Sequence, residues 1–186
     1  MLRLKEKFTQ SYQELHSVRS LTGVAMLLSV SIILSYVLRI DITPSLRLGF
    51  SFVASAAIGM LYGPVVGGMA VGLGDVIKYL LKPVGAFQPS LTLITAFSGV
   101  IYGVFLYKGK PTLKGIIASK AIINLFCNGV LNTIALSNLY GKGFQALFLP
   151  RLTKNLIMLP IEVIVLSVTL PVIAAAFTRA MRGVRQ

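Results

Sequence analysis

Between residues 21 and 177 the chain is a succession of apolar runs with short polar breaks between them. The runs cover 21–38, 48–62, 65–81, 91–107, 115–139 and 151–177. As a helix rising ~1.5 Å per residue, the first would reach about 27 Å, close to the ~30 Å hydrocarbon core of a bilayer. With 55% hydrophobic and only 12% charged residues, the chain lacks the polar surface that a soluble domain of this length needs. The expected fold is an all-α membrane protein, a single six-transmembrane-helix bundle.

The net charge of +13 has a topological reading. Lys and Arg accumulate in cytoplasmic loops of membrane proteins. Six spans put both termini on one side, together with the turn at 108–114. These segments hold ten basic residues, against four in the 39–47 loop, at Lys82 and at Lys142. Both termini are therefore expected in the cytoplasm. The basic residues lie between apolar runs and no nucleic-acid reading motif is present, so nucleic acid is not an expected partner.

Residues 1–20 are expected to form a cytoplasmic amphipathic segment. Leu4, Phe8, Tyr12 and Leu15 fall on one helical face, with Arg3, Lys5, Lys7 and Arg19 around them. Residues 21–178 form the bundle, and 179–186 a basic cytoplasmic tail with Arg179, Arg182 and Arg185. In the first span, Ala25 and Ser29 lie four apart on one face. A small-xxx-small pair of this kind lets another helix approach closely, in this bundle or in a partner.

The centre of the chain is the stretch 62–92, YGPVVGGMAVGLGDVIKYLLKPVGAFQPSLT. Gly63-Pro64 turns the chain, and the glycines after it allow close helix packing. Asp75, Lys78 and Lys82 follow at steps of three and four, hence on one helical face. The fifth run repeats the pattern with Lys120, Asn124, Asn128 and Asn132, and the sixth with Arg151, Lys154, Asn155 and Glu162. Such faces are too costly to turn toward lipid and must point into the bundle. Two readings remain open: a structural network of asparagines with Asp75 paired to Lys78, or a cavity for a polar solute. Cations outnumber carboxylates on these faces, so a cavity would suit an anionic ligand. Phe50, Phe52, Phe87, Phe144 and Phe148 fall near the outer ends, where they would stack on a flat ring or anchor the interface.

Several chemistries are excluded or unsupported. No G-x-x-x-x-G-K-[ST] sequence is present, so the chain is not a P-loop ATPase. With only His16 and Cys127, neither a Ser-His-Asp set nor a metal site has support, and no cofactor is implied. Cys127 lies in an apolar run and reads as a small core residue.

The segment 46–103 resembles the substrate-binding S components of energy-coupling-factor vitamin transporters, and is most similar to their folate-specific branch. The matching stretches are LRLGF (46–50), YGPVVGG (62–68), GLGD (72–75) and PVGAFQPSLTL (83–93). The resemblance implies a vitamin-binding subunit rather than an enzyme, in a bacterial plasma membrane. It also implies a transmembrane coupling subunit and two ATPase subunits as partners. Docking in that family uses A-x-x-x-A on the first helix; here Ala25 and Ser29 match with serine second. Folate has a pterin with adjacent donors and acceptors and a tail with two carboxylates. The expected arrangement sets Asp75, Asn128 and Asn132 on the ring, and Arg47, Lys82, Arg151 and Lys154 on the tail. Phe50, Lys78, Phe87, Gln88 and Asn155 complete the candidate site. Thiamine, a cation, suits it poorly. Riboflavin, or a ligand-free structural or regulatory role, are the alternatives.

Overall fold

A computed structural model describes residues 4–37, 39–43, 46–83, 87–108, 111–141 and 143–183, with the backbone alone at 39–43, 46–48, 140, 146 and 180–183. In chain order the elements are α1 (Leu4–Glu14), α2 (Val18–Val37), β1 (Arg39–Thr43), β2 (Leu46–Gly49), α3 (Ser51–Leu81), α4 (Pro89–Leu106) and α5 (Leu113–Ile122). A π-helical segment (Ile123–Leu131), α6 (Asn132–Tyr140) and α7 (Phe144–Gly183) complete them. Among the described residues, five helical stretches are long and apolar enough to cross a membrane. The expected six arise because one of these, Ser51–Leu81, is two helical arms meeting at Gly63.

Gly63 has φ 87° and ψ −174°, a backbone state that side-chain-bearing residues avoid. The reversal there is sharp. Four residues to either side, the Cα of Gly59 lies 3.2 Å from where a Cβ on Gly67 would stand. Pro64 opens the second arm, where its missing N–H costs nothing. The remaining loose ends are gathered by one side chain from α1. Ser11 Oγ donates to the Tyr62 carbonyl at 2.7 Å and accepts from the amides of Val65 at 3.0 Å and Val66 at 3.2 Å. It therefore closes the C-terminus of one arm and caps the N-terminus of the next. Ser11 is wholly buried, while Leu4 and Tyr12 on another face of α1 are exposed. Lys7 adds a bond to the Val104 carbonyl at 2.6 Å.

Both arms of α3 lie against α4 through glycine. A Cβ on Gly67 would stand 2.8 Å from the Gly99 carbonyl oxygen, and one on Gly99 would collide with the carbonyl of Gly67. Small residues at such a crossing let backbones touch, and dispersion over that contact replaces the hydrophobic drive that lipid removes. The buried core spreads from here through Ala56, Met60, Tyr102, Leu106 and Ile116 to Leu166 and Leu170 of α7. Cys127 is buried in this core. Large apolar side chains such as Met26, Ile33, Ile164, Val168 and Val172 face outward, as a lipid-facing surface requires.

Three features differ from the sequence expectation. The polar loop at 39–47 contains an antiparallel pair, β1 with β2, in register Arg39 to Gly49, Ile40 to Leu48 and Asp41 to Arg47. Its β-branched residues Ile40, Ile42 and Thr43 favour extended backbone. The last helix starts at Phe144, ahead of Pro150, and also runs through Pro160 and Pro171. It continues past residue 178 to Gly183. Finally, residues 123–131 wind as π-helix rather than α-helix. Such segments are rare and are frequently found at functional sites.

Candidate binding site

A cavity of about 690 Å³ opens between α3, α4, the π segment and α7. Ligand pockets commonly span ~300–1,000 Å³, so this one has room for a small organic molecule. One wall, from α3 and α4, contributes Ser55, Asp75, Thr95, Ser98 and Tyr102. The facing wall contributes Asn124, Asn128 and Asn132 from the second polar stripe, and Arg151, Lys154 and Asn155 from α7.

The floor is an ionic cluster. Lys120 Nζ lies 2.9 Å from Glu162 Oε2, and their side chains are 3% and 17% exposed. Asn124 Nδ2 donates to the same oxygen at 2.6 Å. Both contacts fall on Oε2, so Oε1 carries neither of them. The Lys120 ammonium also sits 4.2 Å from the centre of the Phe52 ring, a cation–π contact in a desolvated place. Removing two charges from water is expensive, and the pair persists because each partner has more than one contact. The Tyr102 hydroxyl, at the same end, is buried with no hydrogen-bond partner among the described residues. A buried donor without a partner is costly and points to something that fills the cavity, water or ligand.

The rest of the polar wall is held by the π segment. Asn155 Nδ2 of α7 donates to the Asn124 carbonyl at 2.9 Å, and Asn128 Nδ2 reaches Asn124 Oδ1 at 3.4 Å. The Oδ1 of Asn132 is buried without a partner among the described residues. Asp75 is nearer the end of the bundle. Thr92 Oγ1, in the first turn of α4, donates to Asp75 Oδ2 at 2.9 Å. Tyr102 lies ten residues further along that helix, so the floor is about 15 Å deeper than Asp75 at ~1.5 Å per residue. Lys78 is turned to another partner, donating to Ser31 Oγ of α2 at 3.0 Å.

Asp75 and Lys78 also border a second cavity of about 290 Å³. It lies where α2 and α3 end and α4 begins, and Lys82, Phe87 and Gln88 line it. The sequence-chosen residues thus divide in two. Asn128, Asn132, Arg151, Lys154 and Asn155 face the large cavity, Lys82, Phe87 and Gln88 the small one, and Asp75 and Lys78 both. Phe50 stacks on Phe52 with ring centres 6.3 Å apart. The Arg47 side chain lies outside the described residues. Ala25 and Ser29 are exposed on α2, where Ser29 Oγ donates to the Ala25 carbonyl at 3.0 Å.

Sequence reasoning placed Lys120, Asn124 and Glu162 on polar faces but did not select them for the site. Their depth depends on how α5 and α7 pack, which spacing along one helix does not reveal. Tyr102, Thr95, Ser98 and Ser55 gave no signal, because single hydroxyls are ordinary in membrane helices.

Apolar helices with a lipid-facing exterior around a charged cavity of about 690 Å³ define a multi-pass membrane protein with an internal binding chamber. The chain belongs to the ECF transporter, substrate-specific component family, whose model matches residues 19–170. It is thus a transporter subunit of the cell membrane rather than an enzyme. It is 38% identical over 143 residues to the folate transporter FolT of Clostridium novyi, covering 77% of this chain and 83% of that one. It is 31% identical to FolT of Leuconostoc mesenteroides over 152 residues, or 78% and 80% of the two chains. It also superposes on the crystal structure of FolT bound with folic acid, with a TM-score of 0.73 and 31% identity, covering 81% of this chain and 92% of that one.

Proposed function

We propose that this chain captures folate from outside the cell and passes it to partner subunits that drive its import with ATP. The observation that carries the reading is the chamber itself. It has a polar floor of mixed charge, an amide-lined wall and two cations, Arg151 and Lys154, on the helix that enters from the outer end. Folate matches that order from ring to tail, and relatives 26–38% identical are named folate transporters.

In this reading the pterin lies at the floor. A neutral ring can be buried there, and its adjacent N–H donors suit Glu162 Oε1, with Tyr102 and Asn128 nearby and Phe52 as a flat neighbour. Asp75 flanks the linker, where the amine and amide N–H groups are donors. The two tail carboxylates meet Arg151, Lys154 and Lys78 near water, where the desolvation cost is smaller. This arrangement moves the ring deeper than an Asp75-centred site would, by the same depth argument that separated ring from tail.

The uneven distribution of Lys and Arg places both termini in the cytoplasm. The exposed Ala25/Ser29 face of α2 is the docking surface for a transmembrane coupling subunit, and two ATPase subunits supply the energy that this chain has no motif to supply. Residues 1–20 form a surface segment with the exposed apolar face of α1 toward the lipid headgroups.

Thermal unfolding of the detergent-purified chain tests the reading, since a ligand that binds only the folded state raises Tm. Folate at 100 times its Kd should add about 2.7 kcal/mol of stability, and riboflavin none. A shift with riboflavin and none with folate would replace folate by the other vitamin. No shift with either would leave a structural subunit.

A further inference from the structure

We infer that the smaller cavity is an extension of the folate site that accepts a γ-linked chain of additional glutamates, so that polyglutamylated folates are ligands as well as the monoglutamate. The inference rests on the folate reading above. Asp75 and Lys78 border both cavities, so a ligand tail that reaches Lys78 stands at the entrance of the second space.

Each further γ-glutamyl unit adds one amide N–H, one amide carbonyl and one carboxylate. The smaller cavity offers the complementary groups. Gln88 is oriented by its Nε2, which donates to the Ala135 carbonyl at 3.0 Å, and its Oε1 is buried with no partner among the described residues. That oxygen is an acceptor awaiting a donor, and a ligand amide N–H is one. Lys78 and Lys82 bring two cations to this lining against the single carboxylate of Asp75. Lys78 spends one of its three protons on Ser31, leaving others for a carboxylate. The rings of Tyr36, Tyr79 and Phe87 supply apolar area for the methylene pairs between amides. A second neutral or cationic group would not use this combination.

Competition against labelled folate on the full chain tests the inference, with pteroylmonoglutamate and pteroyltriglutamate as probes. In the unmodified protein the triglutamate should bind at least as tightly as the monoglutamate. Ser35→Phe, at a residue that lines only the smaller cavity, fills that space. It should weaken the triglutamate by about tenfold while the monoglutamate stays within about twofold. Gln88→Leu, which removes the buried acceptor, should lower the ratio of triglutamate to monoglutamate affinity by about fivefold. If the monoglutamate binds but the triglutamate binds an order of magnitude more weakly, or if Ser35→Phe weakens both alike, the extension is wrong and the folate reading stands. If the monoglutamate itself fails to bind, the folate reading falls and the extension with it.

Discussion

The two walls of the chamber are built on opposite principles. The α3–α4 wall is backbone against backbone: Gly59, Gly67, Gly99 and Gly103 bring main chains together where even one methyl group would collide. The facing wall, from α5 through the π segment to α7, is joined by side chains: Lys120 to Glu162, Asn124 to Glu162 and Asn155 to the Asn124 carbonyl. The first arrangement tolerates almost no change of volume. The second can be re-formed around a ligand, because hydrogen bonds between flexible amides exchange partners more readily than packed glycines move apart. The contrast assigns rigidity to the backbone of one wall and adaptability to the side chains of the other.

The sharpest break should come at the glycine wall. Gly67→Leu puts a branched side chain into the Gly99 backbone; overpacking costs about 1–3 kcal/mol where side chains can shift, and here the obstacle is main chain, so the cost exceeds that range. Little monodisperse protein should survive detergent extraction and gel filtration. A well-behaved Gly67→Leu protein would show that the wall is less rigid than its contacts imply.

The ionic floor should respond next, and asymmetrically. Lys120→Met leaves Glu162 without its cation in a desolvated place, and removing one partner of a buried pair costs about 3–5 kcal/mol. Replacing both, Lys120→Met with Glu162→Leu, should recover most of that stability but lose folate binding. Thermal melts with and without folate separate the two effects. If the double variant binds as well as the original, the floor is structural only.

Ser11→Ala should act at the turn of α3 around Gly63, outside both cavities. It removes the single oxygen that serves Tyr62, Val65 and Val66, and leaves buried groups unpaired at a cost of about 1–3 kcal/mol. Folate affinity per folded molecule should hardly change, because Ser11 touches neither cavity. A large loss of affinity without loss of Tm would mean that α1 acts on the chamber. Smaller still for the isolated chain is Ala25→Trp on the exposed face of α2, which should leave Tm and folate binding alone and abolish copurification of the coupling subunit.

The residues differ in how far sequence alone revealed them. Apolar run length carried the bundle, because a membrane allows few alternatives. Gly63-Pro64 announced its turn, since only glycine takes the φ that the reversal needs. Spacing of three and four gathered Asp75, Lys78, Asn128 and Arg151 toward one interior. The ranking of depth was not legible. Asp75 looked central because it is the carboxylate of the most distinctive stretch, yet Glu162 stands deeper once α7 extends back to Phe144 and slides its polar face against the π segment. The π winding itself leaves no trace in composition. The β1–β2 pair was hidden by its polar residues, although Ile40, Ile42 and Thr43 carry the extended preference.

The orientation of the ligand is where these pieces meet. Equilibrium binding of folate and of pteroate, which lacks the glutamate, should be measured side by side on the original protein and on Glu162→Gln and Arg151→Ala. Glu162→Gln should weaken both ligands by roughly 10–100-fold, the equivalent of a lost charge-assisted bond of ~1.5–3 kcal/mol. Arg151→Ala should weaken folate by about tenfold and leave pteroate within about twofold, because the cation meets only the tail. If Arg151→Ala weakens pteroate as much as folate, or Glu162→Gln spares both, the ring does not lie at the floor with its tail toward the rim.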